Sequence, residues 1–175
     1  MTQLSAMTSR FTLEYPTHPS LENFLSEKSV NNLELKEWPK LDHQNVLRLL
    51  DVYDIDSVVI FVTDLMSTNL FFKLQNHDFK KDPNAVEKCR IYATQILCGL
   101  AYLHSRLLCH LDLRAENIFI TSDDKAVVAD FSGLSWITDK KIYCPLPRSL
   151  KPPEMLTSKK KVEPMPIDLW AYGFD

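Results

Sequence analysis

Apolar residues along this chain recur at two different periods, and the alternation between them sets out the elements. Between Ser20 and Trp38, the residues Leu21, Phe24, Leu25, Leu33, Leu35 and Trp38 stand at roughly helical spacing among Glu and Lys, and Pro39 stops any helix there. Val46 to Tyr53 and Val58 to Thr63 are β-branched and aromatic runs around the acidic turn Asp54-Ile55-Asp56, which predicts an antiparallel hairpin. Leu70 to Leu74 gives one or two helical turns before the polar stretch Gln75 to Pro83. A long helix follows to about His104. Its stripe is Val86, Cys89, Tyr92, Ala93, Ile96, Leu97, Leu100 and Leu103, with Asp82 and Pro83 where a helix start wants them. Ile118 to Ile120 and Ala126 to Ala129 flank the turn Thr121-Ser122-Asp123-Asp124 and predict a second hairpin. A polar, proline-rich loop of about 25 residues, a length usual for functional loops, leads to a last apolar stretch, Ile167 to Phe174. Residues 1 to 20 are polar, contain Pro16 and Pro19, and read as a loosely ordered tail with one short strand at Phe11 to Tyr15.

Composition narrows the partners. With 175 residues, 45% apolar and 25% charged, the chain suits one folded domain with a substantial core. Twenty Lys and Arg against 23 Asp and Glu leave a net charge of −3, so no global basic field attracts nucleic acid or anionic lipid. The start lacks the basic flank and apolar run of a signal peptide, and Val58 to Val62 is far too short to span a bilayer. A soluble protein without nucleic-acid or membrane partners is expected. Cys89, Cys98, Cys109 and Cys144 show no CxxC spacing, which favours reduced thiols and a cytoplasmic location.

The chemistry concentrates between the long helix and the second hairpin. His110-Leu-Asp112-Leu-Arg114-Ala-Glu116-Asn117 precedes the hairpin and Asp130-Phe131-Ser132 closes it. Together they resemble the catalytic loop, H-R-D-L-x-x-x-N, and the magnesium loop, D-F-G, of the protein kinases. Pro153-Glu154 stands where that family has Ala-Pro-Glu, and Asp168-Leu-Trp170-Ala-Tyr-Gly173 is similar to its D-x-W-x-x-G helix start. Upstream, Asp42 to Leu49 resembles the entry to the fourth strand, and Val62-Thr63-Asp64-Leu65-Met66 the hinge that touches adenine. The resemblance covers roughly residues 28 to 175. It implies an α+β, protein-kinase-like fold, truncated at both ends. Residues 1–27 would be a poorly ordered N-terminal segment. Residues 28–66 would form a partial N-lobe with helix C, antiparallel strands and the hinge; residues 67–175 would form the first half of the mainly helical C-lobe, ending in helix F. Leu111 before the aspartate, with Arg114-Ala-Glu-Asn after it, looks most like the titin, obscurin and myosin-light-chain-kinase branch.

On that resemblance Asp112, Arg114 and Asn117 are the catalytic residues. Phosphoryl transfer asks a protein for an oriented hydroxyl and for neutralised phosphate charge rather than covalent work. Asp112 would orient and accept the hydroxyl proton, and Arg114 would clamp the transferred phosphate. Asn117 and Asp130, oxygen donors at opposite ends of one hairpin, would hold Mg2+ bound to ATP. Thr63 would guard the adenine pocket, Asp64 and Met66 would line the hinge, Phe119 would pack under the base, and Glu34 would pair the family's phosphate-binding lysine. Taken singly, Asp112, Asn117 or Asp130 is more often a turn former or helix cap; their joint spacing outweighs that reading. His110 and Phe131, with Trp38 and Leu49, resemble the hydrophobic spine between the lobes, and Trp170 is core packing. Lys159-Lys160-Lys161 reads as solvated surface and Asp123-Asp124 as a turn.

The family's grip on the triphosphate has no counterpart. Only Gly99, Gly133 and Gly173 are present, so no glycine-rich loop precedes the hinge. Lys28 and Lys36 lie in the same helical segment as Glu34, not on a preceding strand. Ser132 replaces the loop glycine, Leu111 the arginine that reads a phosphorylated activation loop, and Pro147 stands where a threonine is usual. Two readings follow. One is a pseudokinase or truncated kinase fragment that binds a protein partner as a scaffold, with ATP and Mg2+ binding weak or lost. The other is an active ATP-dependent Ser/Thr kinase acting on a protein substrate, its missing loop and lysine supplied by a longer product or a partner. Glu116-Asn117 favours serine/threonine ancestry, while Arg114-Ala115 and Pro147 also occur in tyrosine-kinase patterns. A chain stopping at Asp175 is expected to leave the apolar side of residues 167–174 and much of the long helix facing water.

Overall fold

A computed structural model of the chain describes residues 33–55, 58–139, 142–157 and 162–173. The predicted tail and strand before residue 33, the first part of the 20–38 helix, the tip of the first hairpin and Lys159 to Lys161 lie outside the described residues. Helix α1, Leu33–Glu37, buries Leu35 and passes into a 3-10 turn at Trp38–Lys40. Pro39 sits in the first turn of that segment, where its missing N–H costs nothing. Trp38 is buried and donates from Nε1 to the Leu47 carbonyl at 2.7 Å.

Strands β1, Leu49–Ile55, and β2, Val58–Thr63, form the predicted hairpin with Val52 opposite Phe61 and Leu49 opposite Thr63. A register shift between Leu49 and Asp51 bends its near end. The inner face carries Phe61 onto Trp38, ring centroids 5.0 Å apart.

Between α1 and β1 the chain presses against the lower part of the molecule. Val46 pairs in parallel with Val128, Leu47 N donates to the Val128 carbonyl, and Val128 N to that of Asn45. The Asn45 side chain donates to the Ala126 carbonyl at 2.9 Å. Gly99 is what allows this approach: a Cβ there would stand 2.5 Å from the Asn45 carbonyl oxygen. Three residues on, Tyr102 accepts from Asp42 N at 2.9 Å and stacks on His43.

The lower part begins with the two-residue strand β3, Thr68–Asn69, and helix α2, Leu70–Gln75, whose first turn is capped by Asn69. The polar stretch after it is not loop throughout: α3, His77–Lys81, forms because the Asn76 side chain accepts from Asp78 N and Phe79 N, and because Phe79 is buried. Helix α4, Ala85–Ser105, is the long predicted helix. Its buried set is Tyr92, Ile96, Gly99, Leu100 and Leu103, a narrower stripe than the sequence pattern. Val86 and Leu97, at 75% and 43% exposure, lie outside it.

Two-residue strands β4, Leu108–Cys109, and β7, Ser135–Trp136, pair antiparallel. Strands β5, Ile118–Ile120, and β6, Ala126–Val128, form the second predicted hairpin, extended by β3 into a sheet of order β3-β5-β6. The long loop holds a 3-10 turn at Phe131–Gly133 and helix α5, Pro153–Thr157. The final apolar stretch is helix α6, Pro164–Tyr172. It buries Ile167, Asp168 and Ala171 and leaves Leu169 and Trp170 partly exposed, so the solvent-facing apolar side expected here is confined to those two and Trp170 is not the core residue the sequence suggested. No helix among the described residues is long and apolar enough to cross a membrane.

Candidate active site

The site is assembled by the turn that leaves β4 and by the two ends of the β5-β6 hairpin. The His110–Asp112 turn is held from below by Asp168 on α6, a fully buried carboxylate. Its Oδ2 accepts from His110 N at 2.9 Å and from the His104 ring at 2.8 Å; its Oδ1 accepts from Leu111 N at 2.8 Å. These bonds pin Leu111 at φ 62, a left-handed conformation unfavourable for a side chain of that bulk. From the other side, Cys144 donates its thiol to the Leu111 carbonyl. A strained residue pinned on both sides places Asp112 at the mouth of the turn.

Asp112 is 2% exposed. Asn117, at the end of a 3-10 turn that leads into β5, donates from Nδ2 to both the Asp112 carbonyl and its Oδ2, at 2.9 and 2.8 Å. Arg114 Nε lies 3.6 Å from the same Oδ2. Asp112 Oδ1 is buried with no hydrogen-bond partner, and so is Arg114 Nε. Burial pushes the Asp112 carboxyl up from the usual carboxylate range, against the opposing pull of Arg114 and Asn117. An unsatisfied carboxylate oxygen with raised basicity is the arrangement a proton acceptor requires.

Asp130 sits beyond β6 at φ 61 and caps its own turn by accepting from Ser132 N at 3.2 Å. Aspartate tolerates that left-handed conformation better than most residues. Phe131 is fully buried between Trp38, at 5.1 Å, and His110, at 5.7 Å. His110 in turn meets the Ala129 carbonyl through Nε2 at 2.8 Å. Trp38, Phe131 and His110 thus form one continuous aromatic column, and Leu49 packs partly buried against the same core. Ser132, where the kinase pattern has glycine, occupies a 3-10 turn without positive φ, so a side chain there carries no backbone strain.

Glu34 on α1 reaches this group. Burial first, and then the negative charge of Asp130, push its carboxyl up. The Asp130 carboxylate and the Asn117 side chain, whose amide nitrogen is committed to Asp112, are hard oxygen donors of the kind a divalent cation takes. In donor chemistry they fit the Mg2+ that the kinase resemblance implies, and they are the residues that would hold it. Such an ion would neutralise phosphate charge when bound; the protein's own part is to hold Asp112 and Arg114 in place.

The residues expected on the adenine side come together less tightly. Thr63 ends β2 opposite Leu49, and the connection through Asp64 and the 91% exposed Leu65 reaches Met66, which packs against the core. Ser67 N then donates to the Ile120 carbonyl, and Asn69 pairs with Phe119, so the connection runs alongside the partly buried Phe119. The lysines with assigned ion pairs are engaged elsewhere: Lys40 with Glu37, Lys73 with Asp124, Lys88 with Asp82, and Lys125 with Asp123. Sequence reasoning read Asp168 only as part of a helix-start pattern and did not connect His104 with it. The available signal was a lone carboxylate inside an otherwise apolar run.

Comparison with known proteins agrees with this geometry. A family model, protein kinase domain, matches residues 16–174. Cyclin-dependent kinase F-3 of Oryza sativa is 30% identical over 152 residues, covering 86% of this chain and 34% of the relative. Serine/threonine-protein kinase MAK of Mus musculus is 30% identical over 149 residues, 84% of this chain and 23% of the relative. Cyclin-dependent kinase-like 1 of Caenorhabditis elegans is 28% identical over 150 residues, 83% and 41%. The chain thus spans between a quarter and two fifths of the length of these relatives. None of the three comes from the titin, obscurin and myosin-light-chain-kinase branch, and the expected placement there gains no support from them. With the family's model running through nearly the whole sequence, the chain belongs to the protein kinase domain family.

Proposed function

We propose that this chain acts as a kinase-like protein-binding module of pseudokinase type, descended from serine/threonine kinases, and that it does not transfer phosphate by itself. The observation that carries the reading is the absence of any glycine in the first 98 residues, together with a sequence in which the one lysine before Glu34, Lys28, stands only six residues from it. A glycine-rich loop supplies backbone N–H groups to the phosphates and the lysine a positive charge. Charge-assisted contacts of this kind contribute about 1.5–3 kcal/mol each, so losing two lowers nucleotide affinity at least roughly a hundredfold. What is kept is the frame: the Trp38–Phe131–His110 column and the Asp168-anchored turn hold a fixed surface to which a protein partner can bind.

A second reading is favoured by one observation. The two hydrogen bonds from the Asn117 amide to Asp112 support a turn kept in the order a phosphotransferase needs, and the relatives named above carry kinase in their names. In this reading the chain is part of an active serine/threonine kinase whose phosphate-gripping elements come from a longer product or a partner. Thermal unfolding with and without Mg-ATP, and phosphotransfer assays on the chain and its Asp112→Asn variant, separate the two. The binding-module reading expects no nucleotide-dependent shift and no activity that the substitution removes. A rise of several degrees that vanishes in Asp130→Ala, with activity lost in Asp112→Asn, would overturn it.

A further inference from the structure

Against the His110–Leu111 backbone lies a cluster of side chains of metal-ligating type. His104 is in the last turn of α4, Cys109 in β4, and Asp168 in α6. His104 Nε2, Cys109 Sγ and a carboxylate oxygen of Asp168 all lie within 4.8 Å of one another. Cys109 and Asp168 have no exposed surface, whereas the His104 side chain keeps 13%, which gives the cluster one approach from solvent. Asp168 is an anion in a low-dielectric interior, and a buried charge of that kind is costly unless paired. Among the described residues its assigned partners are two backbone N–H groups and the His104 ring, and no lysine or arginine salt bridge to it is present.

We propose that His104, Cys109 and Asp168 form a binding site for a soft divalent cation of the zinc class. The donor set of one imidazole nitrogen, one sulfur and one carboxylate oxygen is what such ions select, in contrast to the all-oxygen set at Asn117 and Asp130. Ligand atoms around a tetrahedral zinc stand roughly 3.4–3.6 Å apart. The His104–Asp168 pair at 2.8 Å must therefore open slightly, and the widest separation must close by about 1.2 Å, changes within reach of side-chain torsions. On binding, the Cys109 S–H bond breaks, a sulfur–metal bond forms and the proton leaves to solvent. The ring binds through Nε2 with its proton on Nδ1. The charges then balance, since the ion's two positive charges meet one thiolate and one carboxylate. Because Asp168 Oδ2 also accepts from His110 N, occupancy reaches the turn that carries Asp112. Three protein ligands leave the fourth position on the solvent side of His104 for water. This inference is independent of whether the chain binds nucleotide.

The test uses the full chain with the two accessible cysteines removed, Cys89→Ala and Cys98→Ala, titrated with Cd2+ and then Zn2+. One equivalent of Cd2+ should raise the ultraviolet thiolate-to-cadmium charge-transfer absorbance, and Zn2+ should displace it. In the same background Cys109→Val should abolish the band, and His104→Gln should weaken Cd2+ binding at least tenfold, with far-ultraviolet circular dichroism confirming that both variants fold. No band in the parent, a band that survives Cys109→Val, or unchanged affinity in His104→Gln would each overturn the proposal.

Discussion

Asn117 binds Asp112 twice, donating from one amide nitrogen to the main-chain carbonyl at 2.9 Å and to the side-chain Oδ2 at 2.8 Å. The two residues are five apart in sequence, so a single side chain closes the catalytic turn on itself. Both ends of the interaction are buried. Asn117→Ala removes both bonds and leaves Asp112 with less compensation for a desolvated charge. Leaving a buried acceptor unsatisfied costs about 1–3 kcal/mol, and urea unfolding should show a loss of that size with an unchanged slope. A loss under a few tenths would mean that the turn is held elsewhere.

Asp112 itself should be a stability liability. Burial raises its folded-state carboxyl pKa above the ordinary aspartate range, so the native chain holds this proton more tightly than the unfolded chain. Stability attributable to Asp112 is therefore greatest at acid pH. It falls as pH rises from the unfolded value through the raised folded one, and the full penalty is present at neutrality. Asp112→Asn keeps the shape and removes the charge. It should raise Tm by ~2–5 °C at pH 7, and the gain should shrink as pH falls and the native carboxyl takes up its proton. Scanning calorimetry of both chains across that range checks the sign.

Much of this site was legible in the sequence because its chemistry is local. The Asp112-to-Asn117 spacing and the Asp130-Phe131 pair are set within a few residues, and the two hairpins announce themselves by alternation around turn-forming residues. What escaped depended on contacts distant in sequence or on side-chain caps. Helix α3 exists through the Asn76 cap and one buried phenylalanine in a polar stretch. The β4-β7 pairing joins two-residue strands with no pattern of their own. Asp168 supports a turn 57 and 58 residues away, and no periodicity reports such a bond. Val86 and Leu97 fit the helical stripe of α4 but find nothing among the described residues to bury them fully.

The anchor under the turn makes a third prediction. Asp168→Ala leaves His110 N, Leu111 N and the His104 ring without their acceptor, and it releases the left-handed Leu111. Breaking a buried charged network of this kind costs about 3–5 kcal/mol. Asp168→Asn retains one acceptor oxygen and should cost less. Equilibrium unfolding should therefore order the chains as native, then Asp168→Asn, then Asp168→Ala, and similar values for the two variants would remove the carboxylate from its supporting role.

Glycine placement offers the sharpest contrast in packing. At Gly99 an added Cβ would stand 2.5 Å from the Asn45 carbonyl oxygen and 2.9 Å from Val128 Cγ2. The first neighbour is backbone held by its own hydrogen bond to Val128 N, so it cannot swing aside as a side-chain tip would. Either α4 or the 42–48 segment must move, and overpacking of this sort costs about 1–3 kcal/mol. At Gly173, past the end of α6, the nearest atom to an added Cβ is 3.5 Å away and φ is −76°, which alanine adopts freely. Gly173→Ala should therefore be neutral or stabilising by up to about 1 kcal/mol, through reduced freedom of the unfolded chain. Because the Gly99 contact joins the segment leading to β1 with helix α4, Gly99→Ala should also speed hydrogen exchange at Leu47 N and Val128 N, the amides that bond across this contact. Exchange there unchanged from the native chain would show that the two parts are held together without the close approach at Gly99.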